Sequence, residues 1–419
     1  MRRSLLPRPA PWAKWSLLPY TFLTAVAAVG LGWWLYGNWV RHPYLLFGLL
    51  VCGIAIAHQR WGIRALLIVA TTTYFAKRLE FYVYRDNASE FNNPVSLLPE
   101  IVLVVLFLSV MLEVWARSGR LSLARSALNL TIVAYFFWAL LETANPRSSL
   151  VVGLYGFRAS ALYVLAAFIG QYIFEREQQI YRFMRFSIGL AVIVALYGLW
   201  QQISAVPEWD RQWFLNFFST TQYSCMAGGV FSWEELRKFA TLKSPTSAGY
   251  FYTIHIAFAL TFFLWRRKII DLLAIAILSA ALFFTYVRGA WLSCAVVLLV
   301  IVAFWWLRNS VKQRGWALLR IFAVAIGVLL AGALLLHYIV PYISLEQGGV
   351  LRRIQSLTDP FQASEFLFRA SIWKTTLPLI LRNPIGYGIG STGQVAQRFA
   401  AGLGVVDNLY FKLAVELGW

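Results

Sequence analysis

Apolar stretches long enough to cross a bilayer recur along this chain, and they leave little room for any other architecture. A spanning helix needs about 17 to 25 mostly apolar residues. Such runs fall near residues 15–37, 43–58, 61–77, 96–115, 122–142, 159–175, 183–204, 246–265, 269–287, 290–307 and 320–340, with a short twelfth beginning near Asn408. Hydrocarbon offers no partner to a backbone N–H or C=O, so each run must satisfy its own peptide groups as a helix. The expected fold is therefore an all-α polytopic membrane protein with about 12 transmembrane helices. A mean hydropathy of +0.64, with 60% hydrophobic and 13% charged residues, agrees. Nineteen Trp and twenty Tyr suit two interfacial aromatic belts.

Charge orients the chain. With the N-terminus inside, the short inner segments hold 19 Lys and Arg, whereas the outer segments hold 17, of which 10 lie in the two longest loops. Only short loops inform orientation, which favours a cytoplasmic N-terminus. The basic opening "MRRSLLPRPAPWAKW" precedes a run too long for a cleaved leader and reads as a retained first helix. The net charge of +19 is dispersed in small clusters between apolar runs, a pattern that speaks against a nucleic-acid groove and for anionic lipids and anionic substrates. Cys52, Cys225 and Cys294 lie far apart and imply neither a disulfide framework nor zinc.

One membrane domain, 1–419, with two elaborated outer loops, 205–245 and 341–407, is the economical organisation. Loops of that length are usually functional or separately structured. Charged side chains beside these loops are the candidates for chemistry. Arg288, in "LFFTYVRGAWLSC", closes one apolar run and precedes Gly289, whose missing side chain permits close approach of a ligand or backbone. An intramembrane arginine is costly, about 2.5 to 3.5 kcal/mol, so it is either a ligand cation or a side chain snorkelling to the headgroups. Arg237, Lys238 and Lys243 precede "SPTSAG", where Ser244 or Thr246 can cap the next helix. Cations beside a helix N-terminus make an anion site, and Arg237 can grip two phosphate oxygens; a solvated face balancing Glu234 and Glu235 is the alternative. Arg158, in "GLYGFRAS", is expected at the outer start of a helix, where a cation opposes the macrodipole.

His337, in "GALLLHYIVPY", lies about one turn from the outer end of its run, and imidazole can accept a proton near neutral pH. His42, His58 and His255 read as structural. In "RASIW", Arg369 and Trp373 share one helix face, and "NPIGYGIG" then breaks the helix into a shaped, glycine-rich turn. No paired-acid motif is placed to hold a divalent metal, and no serine hydrolase constellation or nucleotide-binding motif is present.

Taken in order, "GFR", "RKFATLKSP", "YVRGAW", a large loop after the His337 helix, "RASIW", "NPIGYGIG" and "DNLYFKLAVELG" resemble the O-antigen ligase and polymerase superfamily of bacterial inner-membrane glycosyltransferases. The pattern runs from Arg158 onward, and the single histidine beside the large loop resembles the lipopolysaccharide ligases best. The resemblance implies a GT-C-like, multi-pass protein of the bacterial inner membrane with its active site on the periplasmic side. It implies transfer of a glycan from undecaprenyl diphosphate to lipid A-core, with no metal, cofactor or nucleic acid. His337 and Arg288 would be catalytic; Arg237, Arg288, Arg158, Lys243 and Arg369 would bind the diphosphate. An O-antigen polymerase, a protein O-oligosaccharyltransferase and a non-enzymatic flippase of lipid-linked glycan remain as alternatives. Relatives often continue beyond the position of "ELGW", so the last helix is expected to be either short or incomplete.

Overall fold

A computed structural model describes residues 44–84, 94–118, 127–204, 206–216, 236–309, 364–399, 403 and 408–418. The expected spans at 15–37 and 320–340, together with His42, Cys225 and His337, lie outside the described residues. Within them the secondary structure is helical, without strands. The helices are α1 (Tyr44–Ala57), α2 (Gln59–Tyr84), α3 (Leu98–Ser118), α4 (Ala127–Glu142), α5 (Leu150–Ser160), α6 (Leu165–Ile173), α7 (Glu177–Ile203) and α8 (Glu208–Asn216). There follow α9 (Pro245–Arg266), α10 (Ile269–Phe284), α11 (Arg288–Asn309), α12 (Ser364–Arg382), α13 (Gly393–Arg398) and α14 (Leu409–Leu417).

Five stretches are long and apolar enough to cross a membrane among the described residues: Val95–Ala116, Leu150–Ile173, Glu177–Ile203, Pro245–Arg266 and Arg288–Trp306. Three shorter apolar helices, α1, α4 and α10, accompany them. The chain is a multi-pass membrane protein. Large apolar side chains such as Leu130, Leu141, Ile193 and Ile269 stand exposed on these helices, as lipid contact requires.

The chain divides into two compact units. The first comprises 1–66, 97–176 and 364–419; the second comprises 67–96 and 177–363. In the first, α1 packs on α3 and α3 on α6, around Ala55, Leu103, Leu106, Val110 and Ile169. Its other half joins α14 to α4 and α12, and α13 to α5, about Ala139, Ala161, Ile389 and Leu417. The second unit is built on α7, α9, α10 and α11, whose shared core includes Ala195, Tyr252, Ile256, Leu278 and Ala290. Small residues at these crossings let backbones approach without leaving voids, as in other membrane helix packings.

Three helix boundaries differ from expectation. The run expected at 61–77 is a helix from Gln59 to Tyr84, because Lys77 and Arg78 are buried inside it instead of ending it in a loop. The run expected at 159–175 starts at Leu150: Ser149 caps α5, accepting from the Val152 N–H, and the helix breaks only at Ala161. Arg288 opens α11, since the backbone turns at Tyr286, φ 52°, and α10 has already ended at Phe284.

The expected structural role of His255 matches its surroundings. Its Nδ1 lies 2.7 Å from the Phe251 carbonyl and its Nε2 2.5 Å from Ser187 Oγ, so both ring nitrogens have partners.

Candidate functional site

In the second unit, the links of two and three residues joining α9 to α10 and α10 to α11 force neighbouring helices to alternate in direction. The starts of α9 and α11 consequently lie at the same end. They touch there: a Cβ on Gly249 would stand 2.8 Å from Ala290 Cβ, and one on Gly289 would stand 3.3 Å from the Tyr250 hydroxyl. Thr253 Oγ1 adds a bond to the Ala290 carbonyl at 3.3 Å. Two sets of helix-terminal N–H groups thus sit side by side, each carrying about half a positive charge.

Ser244, not Thr246, caps α9. Its extended backbone, φ −153°, presents Oγ to the Ser247 N–H at 3.2 Å, and Pro245 occupies the first helical position, where no N–H is needed. The preceding segment, 236–244, is irregular and lies against the end of α10, where the Lys238 N–H donates to the Phe284 carbonyl at 3.2 Å. This segment carries Arg237, Lys238 and Lys243, and Arg288 stands at the first position of α11. Lys243 Nζ lies over the Tyr74 ring, 5.9 Å from its centroid. Lys238 is buried, and desolvation of its ammonium pushes the pKa down to about 8. Three cations of the expected set, Arg237, Lys243 and Arg288, together with the buried Lys238 and two helix N-termini, therefore occupy one end of this unit.

The dipole argument changes place. Arg158 lies in the last turn of α5, where a cation is favoured, instead of at a helix start. It pairs with Glu100, Nε to Oε1 at 3.1 Å, and Glu100 also accepts from the Tyr163 hydroxyl at 2.9 Å. It belongs to the first unit, whereas Arg237, Lys243 and Arg288 belong to the second. The unfavourable placement expected of Arg158 is found at Arg288, which helix stability alone does not explain.

Arg369 lies in α12 with Trp373 one turn on, as the "RASIW" spacing predicts. "NPIGYGIG" forms the expected shaped loop, with Gly386, Gly388 and Gly390 at φ of 95°, 94° and 85°. Its backbone is bonded to α14 through Tyr387 N–H to the Val415 carbonyl at 2.9 Å and Gly388 N–H to the Glu416 carbonyl at 3.1 Å. The Glu416 carboxylate, fully buried, accepts from Thr392 Oγ1 at 2.7 Å. Among the described residues, no group of His, Cys, Asp and Glu is arranged to hold a metal ion.

A buried polar cluster went unrecognised in the sequence. Arg78 approaches Asp210 at 3.2 Å, and Asp210 Oδ2 accepts from Gln201 Nε2 at 2.6 Å and the Tyr197 hydroxyl at 2.7 Å. Lys77, also buried, lies over Tyr74 and Trp213 at 5.3 and 5.5 Å. The available signal was the aromatic spacing of Tyr74, Phe75, Phe81 and Tyr82, which continues a helical pattern through the charges.

No curated protein matches the chain, and no solved structure does. Residues 273–419, which take in most of α10, all of α11 with Arg288, and the α12 to α14 region, match the family model described as O-antigen ligase, and that match supports membership of the chain in the O-antigen ligase superfamily.

Proposed function

We propose that the chain is a glycosyltransferase that moves O-antigen glycan from undecaprenyl diphosphate to a sugar hydroxyl of lipid A-core, on the periplasmic side of the bacterial inner membrane. The family match supports glycan transfer of the ligase or polymerase type. The observation that carries the site is the meeting of the α9 and α11 N-termini beside Arg237, Lys238, Lys243 and Arg288. A diphosphate is the ligand chemistry suited to such a place, since backbone dipoles and cations there act on it in the same sense.

Transfer proceeds by attack of the acceptor oxygen on the anomeric carbon. The new carbon–oxygen bond forms as the bond to the diphosphate oxygen breaks, the electron pair leaves with the diphosphate, and the acceptor proton passes to His337. Attack opposite the leaving group inverts the anomeric centre. Arg288 and Arg237 meet the charge that develops on the diphosphate, with Lys243 as a further contact. Preorganised cations of this kind contribute about 10² to 10³ each in rate.

The test is transfer by the purified chain in lipid nanodiscs, with undecaprenyl-diphosphate-linked glycan as donor and lipid A-core as acceptor. Arg288→Ala and His337→Ala are each expected to lower product formation by about 10² or more. Near-normal transfer by both variants would overturn the mechanism. Glycan chain growth without lipid A-core would identify a polymerase, and movement of the donor across the bilayer without a covalent product would identify a flippase.

A further inference from the structure

The cationic segment 236–244 has no helix or strand to hold it, yet one of its peptides is fixed from two sides. Ala240 adopts φ 51°, a left-handed conformation that only glycine enters freely. Its N–H donates to Gln201 Oε1 at 3.0 Å, and its carbonyl accepts from Arg78 Nη2 at 2.7 Å. Gln201 Nε2 in turn donates to Asp210 Oδ2 at 2.6 Å, and Asp210 Oδ1 faces Arg78 Nη1 at 3.2 Å. The four residues form a closed ring, from the Ala240 N–H through Gln201, Asp210 and Arg78 back to the Ala240 carbonyl. All four are buried, and Gln201 and Asp210 are wholly inaccessible.

The ring is braced on its outer side. The Tyr197 hydroxyl donates to Asp210 Oδ2 and accepts from Trp209 Nε1 at 2.9 Å, while Arg78 lies over the Phe239 ring at 4.8 Å. Gly198 leaves room for the turn, since a Cβ there would meet Ala240 Cβ at 3.3 Å. A glutamine amide suits this place because one group both accepts from the peptide and donates to the carboxylate. The fixed peptide lies two residues after Lys238 and three before Lys243.

We propose that Gln201, Asp210 and Arg78 are positioning residues that hold the Arg237–Lys243 segment in the geometry that receives a diphosphate. This rests on the diphosphate site of the proposed function, but its structural half can be measured without any transfer. The ring explains how an irregular loop presents several mutually repelling cations in one arrangement: their positions are set through a buried anchor that no substrate touches.

The experiment uses the full chain in nanodiscs, with hydrogen exchange over 236–244 and binding of undecaprenyl diphosphate as readouts. In Gln201→Leu, exchange over 236–244 is expected to quicken about tenfold, as does the loss of one net hydrogen bond, while exchange in the α9 interior stays at the wild-type rate. Diphosphate affinity should fall by about tenfold as well. Because Gln201 acts through the loop cations, the double variant Gln201→Leu, Lys243→Ala should bind more tightly than the product of the two single losses requires. If Gln201→Leu does not fold, Gln201→Asn, one methylene shorter, gives the same readouts.

Unchanged exchange over 236–244 would overturn the ring. Faster exchange with unaltered diphosphate affinity, or losses that multiply in the double variant, would overturn the positioning role. A wild-type chain that fails to bind undecaprenyl diphosphate removes that role too. A wild-type chain that binds it but transfers no glycan leaves the inference standing and removes the proposed function alone.

Discussion

Replacing Gly156 with alanine adds a single methyl group to α5, and the structure places it against backbone. An ideal Cβ at Gly156 would lie 2.4 Å from Gly390 N, 2.5 Å from Gly390 Cα and 2.6 Å from the Ile389 carbonyl carbon. Optimal separation for such atoms is about 3.5 to 4 Å, so the loop must retreat by roughly 1 Å. A rotamer change offers no relief, because none of the three atoms belongs to a side chain. Retreat strains the bonds that hold the loop to α14, from Tyr387 N–H to Val415 at 2.9 Å and from Gly388 N–H to Glu416 at 3.1 Å. Overpacking of this kind costs about 1 to 3 kcal/mol. One or two weakened hydrogen bonds add about 1 kcal/mol each. A total of about 2 to 5 kcal/mol corresponds to a fall of roughly 5 to 15 °C in the unfolding midpoint.

The control is Gly170→Ala in α6, where a Cβ would meet nothing within 4 Å. There the same methyl group should stabilise by about 0.5 to 1 kcal/mol, the usual gain of alanine over glycine inside a helix. Thermal unfolding followed by tryptophan fluorescence reports both, since Trp138 Nε1 donates to the Leu417 carbonyl at 2.7 Å in the same unit. A Gly156→Ala midpoint equal to or above that of Gly170→Ala would refute the backbone contact between α5 and the glycine loop.

Further outcomes follow from other residues. Ser244→Ala removes the Oγ that accepts from Ser247 and should destabilise α9 by about 1 kcal/mol, seen as faster amide exchange confined to its first turn. Lys238 binds its proton less tightly in the folded chain, with a pKa of about 8 against 10.5, so the unfolded chain holds more protons between those values and wild-type stability rises with pH across that window. Lys238→Met should be the more stable form near pH 7.5, with its advantage shrinking as pH approaches 10; a constant difference would contradict burial of that ammonium. Treatment with EDTA should leave glycan transfer unaltered, and inhibition reversed by added divalent metal would contradict charge stabilisation by arginine and lysine.

Much of the membrane architecture was legible because it depends on local chemistry. A helix in lipid is announced by its own apolar length, so α9 and α11 appear close to their expected limits of 246–265 and 290–307. Punctuation was legible too: Ser244 with Pro245 starts α9, and the glycines after Pro384 shape a loop. Boundaries failed where a charge was read as leaving the bilayer. Lys77 and Arg78 continue α2 because aromatic rings and Asp210 surround them, and that neighbour lies 132 residues away from Arg78 in sequence. Arg158, expected at a helix start, instead ends a helix that Ser149 begins nine residues earlier.

Sequence by itself determined that this chain is helical and crosses a membrane, and it singled out the cations to watch, because apolar length and charge are properties of short segments. Only the tertiary structure decided to which unit each of those cations belongs, Arg237, Lys243 and Arg288 to one and Arg158 to the other, and that Arg158 pairs with a carboxylate of its own. It also decided that one alanine peptide is clasped by residues 39 and 162 positions away. Such proximity arises from how whole helices pack, and packing is settled by close-fitting backbones and buried hydrogen bonds that no local window of sequence contains.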